Sequence, residues 1–399
     1  MPIEAERRVV DQVLGKLLEL VRLKQGFSRV RSQKMGFGSE KSVGYEGSRM
    51  NNGGWLKEFR VSRVECVRKC TSMVRGMSVM AKMLDRVDLQ GLIPPLVSPV
   101  NFDGGLDLEG TRRLVDHVID GGAAGLFVLG TCGEGVALSY RKRYQFVEAV
   151  CEASAGRLPV LVSVSDTSLE EALDLATHSF ASGASAVVST GPYFLPVPSG
   201  HMETYFHRLA DESPLPLVLY NMPGCTKFSI PPAVVGRLAK HPKVLGIKDS
   251  SGDLNYVREL IAAVAGQSFP VMIGPEELLL PAMELGAVGG VNGGGLLFPQ
   301  VYVARIEAFR RGDFDLAKKA DEFVQTLSRQ LYSAPSGRMA VIEALKLGLS
   351  LLGICQPWVL SPLLPLDEEH RQRINRSIPE LELMAYHLCP TTKLHTSSV

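Results

Sequence analysis

From Leu89 onward the chain repeats one pattern: a short apolar run, a glycine or polar loop, then about a dozen residues whose apolar positions share one helical face. The apolar runs predict eight strands, at 91–99, 125–129, 159–164, 186–189, 217–220, 244–248, 270–273 and 289–291. Helix signals lie between them. Ser168 with Glu171 reads as a capping box ahead of Ala172, Leu175 and Ala176. Pro231 and Pro232 open a segment whose face is Val234, Val235 and Leu238, and Asp253 is placed to cap Leu254, Val257, Leu260 and Ile261. Parallel strands need helical crossovers, and eight β/α units within about 210 residues predict an α/β fold, a (β/α)8 TIM barrel over 89–298. A doubly wound open sheet is the rival, and the first strand lacks the G-x-G-x-x-G turn expected of one. Helices at 301–332, 339–352 and 367–388 make a C-terminal helical region over 299–389, and 390–399 reads as a loose tail.

Composition changes the picture mainly at the N-terminus. The chain carries a net charge of +1, but residues 1–88 hold 18 Lys/Arg against 10 Asp/Glu, about +8, which leaves the body near −7. A mildly acidic body is not built to bind nucleic acid. The stretch 9–23 is amphipathic, 36–54 is rich in Gly, Ser and Asn and reads as disordered, and 60–83 is rich in Arg and Met. Either this is a basic leader or translation begins at Met77, Met80 or Met83, and the second reading is preferred. Seven cysteines without a C-x-x-C pair point to a reducing, cytoplasmic setting. No run of about 18 apolar residues predicts a membrane span, and no H-E-x-x-H spacing predicts a metal, so no cofactor is expected.

The chemistry centres on VLGIKDSSGD, residues 244–253, where an apolar run drives Lys248 to a strand end. Burial favours a neutral amine, the form able to attack a carbonyl. The plain alternative is a lysine that reaches solvent or pairs with Asp249. In a barrel of this kind working residues sit where strands end. Those ends bring Gly130-Thr131-Cys132-Gly133-Glu134, Pro192-Tyr193-Phe194, Tyr220-Asn221-Met222-Pro223, Lys248, Gly274 and Asn292-Gly293-Gly294-Gly295 to one rim. Singly, each has an ordinary reading as a tight turn, half-buried packing or close backbone passage. Together they support attack of Lys248 on the ketone of a 2-oxo acid, an iminium as electron sink, the N–H groups of Thr131 and Cys132 as a carboxylate cradle, and Tyr220 as a proton shuttle near Thr131.

The segments GTCGE (130–134), PYF (192–194), YNMPGCT (220–226), GIKDSSGD (246–253) and GAVGGVNG (286–293) resemble those of the dihydrodipicolinate synthase and N-acetylneuraminate lyase family of class I, pyruvate-dependent aldolases, over about 89–388. The resemblance implies Lys248 as the Schiff-base lysine, Tyr220 as the catalytic tyrosine and Thr131 as the relay hydroxyl. Cys132, Gly133, Tyr193, Phe194, Thr226, Gly274 and Val291 are the expected substrate contacts, with Ser189, Thr190, Ser250 and Asn292 as further candidates. It also implies a homotetramer or homodimer and a lyase that joins a 2-oxo acid to an aldehyde. Three positions depart from the family pattern. Cys132 replaces a hydroxyl residue, Phe194 stands where a relay tyrosine is donated by a neighbouring subunit, and Cys225 replaces an arginine that grips a second carboxylate. An aldolase for a sugar-acid, hydroxyglutarate or sialic-acid type of 2-oxo acid is therefore expected ahead of dihydrodipicolinate synthase, a dehydratase or a catalytically silent binder.

Overall fold

Eight strands form one parallel sheet in the order β1-β8-β7-β6-β5-β4-β3-β2 in a computed structural model that describes residues 87–195, 197–333 and 340–390. They are β1 Gly91–Leu92, β2 Leu126–Val128, β3 Val160–Ser163, β4 Ala186–Ser189, β5 Leu217–Asn221, β6 Val244–Asp249, β7 Val271–Ile273 and β8 Gly289–Gly290. All eight fall on the expected apolar runs. The expectations for 1–86 and 391–399 lie outside the described residues.

The barrel closes at a proline-limited seam. Pro94 and Pro95 have no N–H to donate, so the expected strand 91–99 shrinks to β1 and a single bridge between Pro95 and Phe127. Leu96 N–H donates to Phe127 O at 2.8 Å and Phe127 N–H to Pro94 O at 3.2 Å. On the other side of β1, a Cβ on Gly289 would meet Gly91 O at 2.2 Å, so only glycine permits this approach.

Alternation along the strands separates two apolar layers. Phe127, Leu161, Val188, Val218, Tyr220 and Met272 fill the barrel interior, while Leu126, Val162, Val187, Leu219, Ile247 and Ile273 pack outward against the helices. The crossover helices are α1 Leu108–Asp120, α2 Tyr140–Ser154, α3 Leu169–Ser182, α4 Ser199–Glu212, the short turn α5 Pro223–Thr226, α6 Pro232–Leu238, α7 Leu254–Ala263 and α8 Leu279–Leu285. Asp253 caps as expected by accepting from Asn255 N–H, whereas the capping box at Ser168 is only half made: Ser168 Oγ accepts from Glu171 N–H, but Ser168 N–H donates to Asp166 Oδ1 instead of the Glu171 carboxylate.

Four helices follow: α9 Pro299–Arg310, α10 Phe314–Leu331, α11 Ala340–Leu351 and α12 Glu368–Leu388. The single helix expected over 301–332 is thus two. Gly312 at φ +77° stops the first, and the Asp313 carboxylate starts the second by accepting from Leu316 N–H.

Candidate active site

Strand alternation decides where Lys248 points. Ile247 and Asp249 face outward, so Lys248 faces the barrel axis beside Tyr220, its register partner on β5. Lys248 is 5% exposed, and its Nζ lies 4.3 Å from the centre of the Tyr220 ring and 4.6 Å from that of Phe127. The alternative pairing with Asp249 does not form. That carboxylate instead accepts from Asn221 Nδ2 at 2.7 Å and from Ser251 Oγ at 2.7 Å, and burial outweighs these donors to raise its pKa.

The turn after β2 brings Thr131 to the same place. Thr131 Oγ1 lies 3.3 Å from the Tyr220 hydroxyl. A Cβ on Gly130 would come within 2.5 Å of the Phe127 ring, the ring over which Lys248 lies, so glycine lets the turn and the aromatic floor coexist. Glu134 N–H closes the turn on Thr131 O at 3.1 Å. The Glu134 carboxylate then bolts it to the C-terminal region: it pairs with Lys346 of α11 and accepts from Leu360 N–H at 2.6 Å. Lys346 also donates to Trp358 O at 2.8 Å, and burial lowers its pKa against the pull of Glu134.

Two chambers meet at Thr131 and Tyr220. The larger, about 860 Å³, is lined by Lys248, Cys132, Gly274 and Val291 and also by Ser250, Glu276, Glu277 and Tyr332. The smaller, about 380 Å³, is lined by Tyr193, Thr190, Cys225 and Thr226, together with Arg143. Most expected contacts therefore converge.

Others do not. Phe194 sits at φ +74° and is 91% exposed, lining neither chamber, because the left-handed backbone turns its ring to solvent. Gly133 lines neither: a Cβ there would meet Leu96 O at 2.8 Å, and its carbonyl accepts from Ser98 Oγ. Ser189 Oγ bonds to Thr190 O, and Asn292 Nδ2 to the carbonyls of Ile273 and Gly274, so both serve the scaffold. The Cys132 thiol is pushed up to about 11 by burial, with Lys248 opposing, and stays protonated near neutral pH.

Two polar clusters escaped sequence reading. Arg143 of α2 donates to Asp166 at 3.1 Å, as does the Tyr140 hydroxyl. Glu276, after β7, is buried at the edge of the larger chamber: its carboxylate accepts from Tyr302 OH at 2.6 Å, Gly294 N–H at 2.8 Å and Tyr332 OH at 3.2 Å. Burial pushes it up to about 7 despite those donors. A strand-end carboxylate was visible in the sequence Gly274-Pro275-Glu276-Glu277, whereas Arg143 sits in a basic triplet that reads as a solvated helix face.

Among the described residues no group of three or more His, Cys, Asp or Glu side chains gathers to hold a metal, and no helix is long and apolar enough to cross a membrane. Comparison with known proteins matches residues 88–381 to the dihydrodipicolinate synthetase family. A putative 2-dehydro-3-deoxy-D-gluconate aldolase of Escherichia coli is 32% identical over 299 residues, 73% of this chain and 97% of the relative. The structure of dihydrodipicolinate synthase from Bacteroides thetaiotaomicron aligns with a TM-score of 0.71 and 40% identity over 74% of this chain and 99% of that one. A prophage protein of the dihydrodipicolinic acid synthase family from E. coli, solved with pyruvate, aligns with a TM-score of 0.70 and 30% identity over 74% of this chain and all of that one.

Proposed function

The chain belongs to the dihydrodipicolinate synthetase family, and from that premise we propose that it makes and breaks the carbon–carbon bond between pyruvate and an aldehyde through an imine on Lys248. The observation that carries this reading is the Lys248 amine, buried in the lining of the larger chamber against the rings of Phe127 and Tyr220, with the Tyr220 hydroxyl paired to that of Thr131. The amine adds to the pyruvate ketone, and the carbinolamine loses its oxygen as water with protons moved by Tyr220 and Thr131. The iminium then accepts the electron pair left when C3 loses a proton. The resulting enamine attacks the aldehyde carbon, and hydrolysis of the new iminium frees the product and restores the amine. Thr131 and Cys132 face this chamber and offer their N–H groups to the pyruvate carboxylate.

The aldehyde is a neutral hydroxyaldehyde. Glu277 and Glu369 line the larger chamber and disfavour a second anion, Cys225 offers no guanidinium fork, and the Arg143 guanidinium of the smaller chamber is already committed to Asp166. The relative named as a 2-dehydro-3-deoxy-D-gluconate aldolase accords with this choice. Exposed Val136, Phe194 and Leu195 support a homodimer or homotetramer, and free cysteines support a cytoplasmic setting. The test is condensation of pyruvate with glyceraldehyde or glycolaldehyde in parallel with aspartate semialdehyde and glyoxylate. Turnover should favour the neutral pair, and preference for the carboxylated pair would reverse the assignment.

A further inference from the structure

An aldol step moves protons at two oxygens: the carbinolamine oxygen that leaves as water, and the aldehyde oxygen that becomes a hydroxyl. Tyr220 and Thr131 form one hydroxyl pair. Phe194 has no proton to give, and it lines neither chamber. The larger chamber nevertheless has another phenol, Tyr332, at the end of α10.

Tyr332 is not held by packing alone. Its hydroxyl lies 3.2 Å from Glu276 Oε1, which also accepts from Tyr302, while Gly294 N–H holds Oε2. A Cβ on Gly294 would come within 1.9 Å of the Tyr302 hydroxyl, so the cluster requires glycine there. Around Glu276 the charged and titratable neighbours are Tyr302 and Arg305 of α9, Tyr332 of α10, Glu277 beside it, and Cys132 across the chamber. Arg305 is itself committed to Asp321 and to the Glu276 carbonyl, so it does not neutralise the carboxyl group by direct pairing. Glu276 and Tyr332 both line the chamber that holds Lys248.

We propose that Tyr332, backed by Glu276, is the general acid–base for the aldehyde oxygen, separate from the Tyr220 and Thr131 pair that serves the carbinolamine. The proposal rests on the imine reading of Lys248. In condensation the enamine electron pair forms the new bond to the aldehyde carbon, and the carbonyl π pair moves onto its oxygen. That oxygen takes the Tyr332 hydroxyl proton, and the phenol oxygen recovers a proton from the Glu276 carboxyl group. The carboxylate left behind keeps the donors Gly294 N–H and Tyr302 OH. Cleavage runs the same transfers backward. A carboxyl group titrating near 7 has both forms populated at neutral pH, as a reversible relay requires. In the bound complexes condensation then needs protonated Glu276, so its kcat falls as pH rises through about 7, whereas cleavage needs the carboxylate and its kcat rises.

The test compares the full chain with Tyr332→Phe and Glu276→Gln, using borohydride trapping of pyruvate and steady-state condensation of pyruvate with glyceraldehyde. Tyr332→Phe should trap pyruvate as the parent does and keep its KM for pyruvate, while kcat falls by about 100-fold and the limb near pH 7 disappears. Glu276→Gln should lose the same limb, with its melting temperature reporting on folding. A parent that forms no adduct on Lys248 overturns the imine reading, and the relay with it. An adduct in the parent combined with a kcat for Tyr332→Phe within about threefold, or a persisting limb, overturns the relay alone.

Discussion

Tyr220 and Lys248 are register partners on β5 and β6, and the lysine amine lies 4.3 Å from the centre of the tyrosine ring. The strand ladder fixes this relationship, so the pair does not depend on a loop for its geometry. The Tyr220 hydroxyl continues the arrangement to Thr131 at 3.3 Å. Tyr220→Phe keeps the ring beside the amine and removes only the proton. It should lower kcat by about 100-fold with little change in melting temperature, and Thr131→Val should act in the same direction with a smaller loss. Steady-state kinetics alongside thermal melts check this, and a Tyr220→Phe enzyme with parental kcat would remove the phenol from the mechanism.

The buried pair of Glu134 and Lys346 fastens the Thr131 turn to α11. Lys346→Met leaves a carboxylate inside the protein without its cation, at a cost of about 3–5 kcal/mol. The double replacement Glu134→Leu with Lys346→Met should recover much of that loss, because neither charge is then stranded. Urea unfolding of the parent, Lys346→Met, Glu134→Leu and the double variant checks both statements, and additive losses in the double variant would contradict them.

Glu276 links stability to pH. Its pKa is raised from the ordinary 4.5 to about 7, so the folded state holds a proton that the unfolded chain releases. The stabilising contribution of that proton is complete below pH 4.5 and is lost as pH rises through about 7. Its size is on the order of 3 kcal/mol. Denaturation at a series of pH values should show the parent losing stability across this window relative to Glu276→Gln. Parallel curves for the two proteins would show that the carboxyl group titrates normally.

The described cysteines differ in reactivity. Cys132 and Cys355 are pushed up to about 11 and about 12 by burial and remain thiols at pH 8, whereas Cys225 is exposed. Among the described cysteines, iodoacetamide at pH 8 should label Cys225 first, as peptide mass mapping will show. Prompt loss of the Cys132 thiol would mean that the floor of the larger chamber is open to reagent.

The strand ends were legible because most pair a short apolar run with glycine or a polar turn, and Lys248, Tyr220 and Thr131 all stand at such ends. The length of the first strand was not, since its prolines matter only once the seam with Phe127 is formed. Gly312 and Asp313 did carry a local signal for the break between α9 and α10, overridden by the apolar periodicity on either side. Arg143 and Lys346 were hidden for another reason. A charge within a helix or turn reads as solvated until its partner arrives, and Lys346 meets Glu134 from more than two hundred residues away. Phe194 shows the converse: its motif position was plain, but a left-handed backbone decides that its ring faces outward.

Reduction of the full chain with borohydride in the presence of pyruvate, followed by peptide mass mapping, tests the central claim most directly. One covalent pyruvate adduct is expected, on the peptide containing Lys248, absent without pyruvate and absent from Lys248→Ala. No adduct, or an adduct on a different lysine that survives Lys248→Ala, would contradict it.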